Sequence, residues 1–215
     1  MKALRISTLI VLFISLWQFS TLAQPAGFNT LSDVHGLKTA LATNAHRTKD
    51  ISSDFAQTKH MKLLNDKVHS KGKFFYKQAD KVRIEYTSPY QYLLVMSGGM
   101  IMVKENGKLS KVNTRNSQTM QAINRIMLDC MRGTVFENKD FSVKASHSAQ
   151  QYLLTLTPIS NSVKGLFKHI EVYINKSDLQ VSKLVMTEQG GDYTEMNFSN
   201  KKLNTSISDA LFSVR

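Results

Sequence analysis

The stretch Gly72–Pro89, GKFFYKQADKVRIEYTSP, constrains the fold of this chain more than any other. Gly72, Phe74 and Tyr76 alternate with Lys73, Phe75 and Lys77, and then Val82, Ile84 and Tyr86 alternate with Arg83 and Glu85. Successive side chains of a strand point to opposite faces, so a period of 2 describes two half-buried strands. Gln78-Ala79-Asp80 is short enough for the loop of a hairpin, and Pro89, which has no N–H for a ladder, closes the second strand. A sheet with one polar and one apolar face needs something over the apolar one. Whether that cover is core or ligand is the functional question.

The neighbouring segments extend the pattern. Leu31, Val34, Leu37, Leu41 and Ala45 recur at helical spacing after a linker 24–29, with Thr30 or Ser32 placed to cap an amphipathic helix. From Ile51 the period returns to 2, with Ile51, Ser53, Phe55, Gln57 and Met61 together and Asn65-Asp66 as the turn. Beyond Pro89, the run Tyr90–Met96 alternates up to Ser97-Gly98-Gly99, and segments 100–104 and 108–112 flank the hairpin signal Asn106-Gly107. Segment 117–132 carries Met120, Ile123, Met127, Cys130 and Met131 at helical spacing, with Ser117 to open the helix and Gly133 to end it. Strands at 141–146, 152–157, 167–174, 181–187 and 193–198 follow. Strands this numerous, with few helices, predict a mainly β fold, a strongly curved antiparallel sheet or open barrel of about 10–11 strands.

Location narrows the possible partners. Residues 1–23 have a basic start (Lys2, Arg5), an apolar run from Leu9 to Phe19 and the small-residue end Thr21-Leu22-Ala23, the layout of a cleaved secretory signal. The run is too short for a comfortable membrane span. Cleavage after Ala23 would leave 24–215 as a single domain in the periplasm or another secreted compartment. Lys and Arg together number 28 against 16 Asp and Glu, a formal net charge of +12, which suits acidic partners or anionic lipid head groups. Nucleic acid is an improbable partner outside the cytoplasm. The single cysteine, Cys130, allows no intrachain disulfide.

Catalytic constellations are sparse. The sequence has no Gly-x-Ser-x-Gly, His-Glu-x-x-His or Walker loop, and its 6 histidines are scattered. Cys130 sits among methionines on an apolar helix face, where a thiol is usually a small hydrophobe. Methionines at 61, 96, 100, 102, 120, 127, 131, 186 and 196 suit a surface that adapts to varied apolar shapes, though on composition alone filling gaps in a core is the stronger reading. A binding protein without metal, cofactor or catalytic step is expected, with a periplasmic hydrolase or acyltransferase as the alternative from another class.

Ser53–Gln57, Gly72–Tyr76, Arg83–Pro89, Leu94–Gly99 and Asp209–Phe212 are short motifs whose order resembles that of the LolA family of periplasmic outer-membrane lipoprotein carriers. Ser53-Asp54-Phe55-Ala56-Gln57 is similar to the family's early strand motif, Gly72-Lys73-Phe74-Phe75-Tyr76 to its Gly-x-Phe/Leu strand, and Arg83-Ile84-Glu85-Tyr86-Thr87-Ser88-Pro89 to its Arg-Trp-x-Tyr-x-x-Pro. Leu94–Gly99 stands where the family has an apolar run ending in Ser-Asp-Gly, and Asp209-Ala210-Leu211-Phe212 resembles its closing Asp-x-x-Leu-Phe. The chain departs from the pattern at Gln78-Ala79, where the family often has an Arg-Pro whose arginine ties a helical lid shut, at Ile84 in place of Trp, and at Gly98 in place of the acid.

The resemblance implies an unclosed antiparallel barrel with a helical lid over an apolar cavity for acyl chains. Phe55, Phe74, Tyr76, Val82, Ile84, Tyr86, Leu94 and Met96 would line it from the sheet and Met120, Ile123 and Met127 from the lid. It also implies a monomer that takes acylated lipoproteins from an inner-membrane ABC transporter of the Lol type and passes them to an outer-membrane acceptor. A carrier or sensor of another envelope lipid is the nearest alternative.

Overall fold

The alternating segments form strands of one sheet. The computed structural model describes residues 26–213 except 79, 99, 106 and 113–117, and omits the side chains of 111, 112, 118–120 and 123. The expected signal segment and the Ser117 cap therefore lie outside the described residues.

The elements run β1 (Asn29–Thr30), α1 (Val34–Arg47), β2 (Asp50–Met61), β3 (Asp66–Lys77), β4 (Lys81–Ser88), β5 (Tyr92–Ser97), β6 (Met100–Glu105), β7 (Lys108–Val112), α2 (Gln118–Arg132), β8 (Phe141–His147), β9 (Gln151–Pro158), α3 (Asn161–Lys164), β10 (Phe167–Asn175), β11 (Val181–Glu188) and β12 (Tyr193–Leu203). The strands pair antiparallel in the order β1-β8-β9-β10-β11-β12-β2-β3-β4-β5-β6-β7, and no pairing among the described residues joins β1 to β7. The sheet is thus an open one. The strand that periodicity does not announce is β1, only two residues long and seated on β8 through Asn29 opposite His147. α3 is likewise an addition, a single turn too short to show a helical period.

The start of α1 differs from expectation. Asp33, and neither Thr30 nor Ser32, is its N-cap, and the Asp33 carboxylate accepts from the Gly36 N–H at 2.7 Å. Thr30 is committed to β1, which displaces the first helical turn. α2 ends as its sequence indicates: Gly133 has φ +70°, and the N–H groups of Gly133 and Thr134 donate to the carbonyls of Cys130 and Asp129. This closure satisfies carbonyls that the last helical turn leaves without partners.

Two apolar clusters meet under α2. One joins Leu37 and Leu41 of α1 and Ala122 and Ile126 of α2 to β8–β10 through Phe141, Leu154, Leu156, Ile170 and Val172. The other gathers Ile51, Phe55, Phe74, Tyr76, Val82, Ile84, Leu94, Met96 and Ile101, with Met127, Leu128 and Met131 of α2 packed against it. Ala122, Ile126 and Cys130 recur four apart and serve the first cluster, while Met127 and Met131 serve the second.

The opposite face of β3–β5 is covered by the closing motif. The turn Asp209–Phe212 buries Phe212, and Val95 is fully buried on that side. Arg83 donates to Leu211 O at 3.0 Å and pairs with Glu85, while Lys77 and Lys81 both reach the Asp209 carboxylate, at 2.6 and 3.0 Å. These hydrogen bonds hold the Asp209 carboxyl below its ordinary range.

Candidate functional site

The register of the central hairpin places one apolar row beside another. Phe74 lies opposite Ile84, Tyr76 opposite Val82 and Gly72 opposite Tyr86. Ile84 in turn faces Leu94, and Val82 faces Met96. A Cβ on Gly72 would come within 2.7 Å of the Phe55 ring and 2.1 Å of Glu85 O, so the glycine leaves room for that aromatic to lie flat on the sheet. Phe55 makes an edge contact with Tyr86 at 5.0 Å, and Tyr86 another with Tyr92 at 5.7 Å. The Tyr86 hydroxyl donates to Gln57 Oε1 at 2.9 Å, and burial, reinforced by Tyr92, pushes it up to about 12.

Between this wall and α2 lies a narrow, largely apolar seam with about 50 Å³ of free space. Phe74, Ile84 and Met127 line it, as do Ile51, Ile126, Cys130 and Met131. Its far wall comes from Val172 of β10, Val181 and Leu184 of β11, and Met196 and Phe198 of β12. Ile84, Met127, Leu184 and Met196 also border a wider hollow of about 1270 Å³, openings included, which adds Tyr86, Tyr92, Leu94, Leu166 and Met186 to the walls and the polar Gln57, Lys59 and Glu188 toward its edge. The two spaces therefore adjoin across these four side chains, the first narrow and largely apolar under the helix and the second broader at one end of the sheet.

Of the residues expected to line a cavity, Phe74, Ile84, Tyr86, Leu94 and Met127 border these spaces. Phe55, Tyr76, Val82 and Met96 are buried in the same cluster, behind the lining. Met120 and Ile123 belong to α2, and their side chains are outside the described set. The far wall is what the sequence did not single out. β10 and β11 are apolar on both faces, with Val172 and Leu184 toward the seam and Tyr173 and Val185 packed with Leu153 on the other side, so alternation cannot tell which face is which.

Polar contacts hold the helices over the sheet. Arg132, the last residue of α2, donates from Nε to Asp80 Oδ1 at 2.9 Å and from its second guanidinium nitrogen to Asp80 Oδ2. Asp80 sits in the β3–β4 turn with φ +63°. In the same turn Gln78 Nε2 donates to His46 O at 3.3 Å and Ala45 O at 3.5 Å, at the end of α1. Asp129 accepts from Asn138 Nδ2 at 2.5 Å and Thr134 Oγ1 at 3.3 Å, and burial still leaves its carboxyl above the usual range. Burial also pushes the Cys130 thiol up to about 12, with the Asp129 charge acting in the same direction, which makes it a poor nucleophile. Among the described residues no group of three or more His, Cys, Asp or Glu could hold a metal ion.

Comparison with known proteins agrees with this architecture. The model of the family described as outer membrane lipoprotein carrier protein LolA matches residues 46–215. No curated protein sequence matches the chain. Among solved structures, MucB is similar over 86% of this chain and 64% of its own, with a TM-score of 0.52 and 10% identity. An uncharacterized conserved protein from Thermus thermophilus is similar over 83% of this chain and 91% of its own, with a TM-score of 0.50 and 12% identity. A LolA superfamily protein from Nitrosomonas europaea covers 82% of this chain and 97% of its own at 13% identity and a TM-score of 0.45.

Proposed function

Because the chain belongs to the LolA family of outer membrane lipoprotein carrier proteins, we propose that its seam and hollow hold the acyl chains of a lipoprotein in transit. The carrying observation is a largely apolar space under α2 that adjoins a wider, partly polar hollow through Ile84, Met127, Leu184 and Met196. Exposing an acyl chain to water costs about 0.8 kcal/mol per CH₂, so moving one through an aqueous compartment requires only an apolar enclosure and a cover that yields. Met127 and Met131 on the cover are flexible and polarizable, suited to repacking around chains of different shape. The acyl chains would occupy the seam between Ile84 and Leu184, and the polar part of the molecule would sit near Gln57, Lys59 and Glu188.

In this reading α2 is a lid, and the carrier is a periplasmic monomer delivered by the signal segment 1–23. It receives cargo from a Lol-type ABC transporter and yields it to an outer-membrane acceptor, binding without a catalytic step. The chemistry of the site supports binding, since the one thiol bordering the seam is desolvated and protonated.

A second reading, carriage of another envelope lipid, is favoured by one feature, the hydroxyls of Tyr86 and Tyr92 at the wide end, which could meet a lipid head group. Mass spectrometry of the lipids and lipoproteins that co-purify with the protein separates the two. Triacylated lipopeptides support lipoprotein carriage and phospholipids support the second reading. Purification without lipid, together with failure to bind a synthetic triacylated lipopeptide, would overturn both.

A further inference from the structure

Most of the large hydrophobic side chains that remain in water lie at one end of the sheet, with Met100 and Leu203 at the other. Leu63 is 94% exposed, Leu64 68% and Tyr90 72%, and Ile159 and Leu109 are also exposed. The registers put them at the same end of the sheet: the β2–β3 turn carries the two leucines beside the start of β12, and Tyr90 lies between the end of β4 and the start of β5. Ile159 follows the end of β9, and Leu109 begins β7. The wide end of the cavity opens at the same end, since Lys59, Tyr92, Leu166 and Glu188 border it there.

The leucines sit on a stiff arm. β3 pairs with β2 from Asp66 onward, but β4 joins β3 only at Lys71, so the outer part of the hairpin projects about 15 Å beyond β4 at the usual rise of a strand. Its other flank is braced. His60 stacks on Tyr193 at 4.0 Å, and the Lys62 N–H donates to Asp192 Oδ1 at 3.0 Å. Such bracing holds Leu63 and Leu64 out in water, where their contact with solvent is unfavourable unless something apolar receives them. Lys62, Lys67 and Lys71 stand along the arm with no ion pair among the described residues, and Asp66 is the only acid in the segment 62–71.

We infer that this hairpin tip docks the protein on an anionic lipid surface, the two leucines entering the acyl boundary and the lysines lying at the head groups, with the cavity mouth turned toward the bilayer. Apolar insertion plus juxtaposed cations is the combination that gives reversible attachment to negatively charged membranes. A protein groove would also receive leucines, but the spread of lysines from the turn at Lys62 along β3 to Lys71 matches a broad negative plane better than a pocket. The inference goes beyond acyl carriage and stands whatever fills the cavity.

Co-sedimentation tests it, using the purified protein and vesicles of equal parts phosphatidylglycerol and phosphatidylethanolamine beside vesicles of phosphatidylcholine alone. At low ionic strength the protein should sediment with the anionic vesicles and at least about tenfold less with the neutral ones, because the cations act only on charged head groups. The double variant Leu63→Ser/Leu64→Ser should lose about tenfold or more in partitioning, and Lys62→Glu/Lys67→Glu should both weaken binding and flatten its salt dependence. These side chains are exposed, so an unchanged melting temperature and unchanged lipopeptide binding in the leucine variant would separate loss of docking from loss of fold or cavity. Equal binding of both vesicle types, no binding to the anionic ones, or a leucine variant that partitions like the parent would overturn the inference.

Discussion

Arg132 and Asp80 form a two-pronged pair that ties the last residue of α2 to the turn between β3 and β4. The charge that reaches across therefore comes from the helix, and the turn supplies the carboxylate. Gln78 in the same turn holds the end of α1 through the His46 and Ala45 carbonyls. One turn thus tethers α2, which covers the seam, and the neighbouring α1.

The pair is partly exposed, with 46% and 40% of the two side chains accessible, so it should add no more than about 1 kcal/mol to global stability. Its effect is expected on opening of α2. Arg132→Gln should leave the melting temperature within a few degrees of the parent and raise the rate at which a thiol reagent labels Cys130 severalfold. Burial on the inner side of α2 raises the Cys130 thiol to about 12 and the side chain is only partly covered, so the parent sets a slow baseline rate above which labelling near neutral pH reports opening. An unchanged rate in Arg132→Gln would mean that the pair does not restrain the helix.

That latch marks where the sequence ceased to be legible. Gln78-Ala79 announced the loss of an arginine from the turn, but Arg132 and Asp80 are 52 residues apart, and no local pattern joins them. By contrast, the β2–β4 wall could be read directly, because Ile51, Phe74 and Ile84 each alternate with polar or half-exposed neighbours. The β10–β12 wall could not, since both faces of β10 and β11 carry apolar side chains. The closing Asp209-Ala210-Leu211-Phe212 was visible as a motif, while its role as a clasp for Lys77, Lys81 and Arg83 emerges only from the folded geometry.

Asp50, at the start of β2, is buried and accepts from the N–H groups of Thr205, Ser206 and Ile207 and from the Thr205 hydroxyl. Burial raises its pKa, but those hydrogen bonds together outweigh burial and leave the carboxyl below its ordinary 3.8. A depressed pKa means that the stabilisation is present above the unfolded-state value and is lost as pH falls through the folded-state value. Asp50→Asn should therefore cost about 1.5–3 kcal/mol at neutral pH, in line with hydrogen bonds to a charged acceptor. The difference from the parent should shrink as pH falls below about 4. Denaturant unfolding of both proteins across that range checks it, and a difference that stays constant with pH would refute the assignment.

Gly133 combines two demands. Its φ of +70° disfavours any side chain, and a Cβ there would lie 2.6 Å from the Leu41 carbonyl oxygen of α1. Gly133→Ala should destabilise the protein by about 1–3 kcal/mol through backbone strain and separation of the two helices. Gly165, with φ −75° and open space around it, supplies the control. Gly165→Ala should be neutral or slightly stabilising, by up to about 1 kcal/mol. Thermal unfolding compares the two, and equal effects would show that the close approach of α1 and α2 has no energetic weight.

Acyl chains lying between Ile84 on one wall and Leu184 and Met196 on the other, beneath Met127, are the centre of this account. The most direct measurement loads the protein with a triacylated lipopeptide carrying a photoreactive group within an acyl chain, irradiates it and maps the cross-linked peptides by mass spectrometry, in the parent and in Ile84→Glu. A carboxylate in that seam must be desolvated or must bring water that excludes the chain, so cross-links should fall on β4, β11, β12 and α2 in the parent and largely vanish in the variant. Cross-links confined to the exposed end of the sheet, or a pattern and yield unchanged by Ile84→Glu, would contradict it.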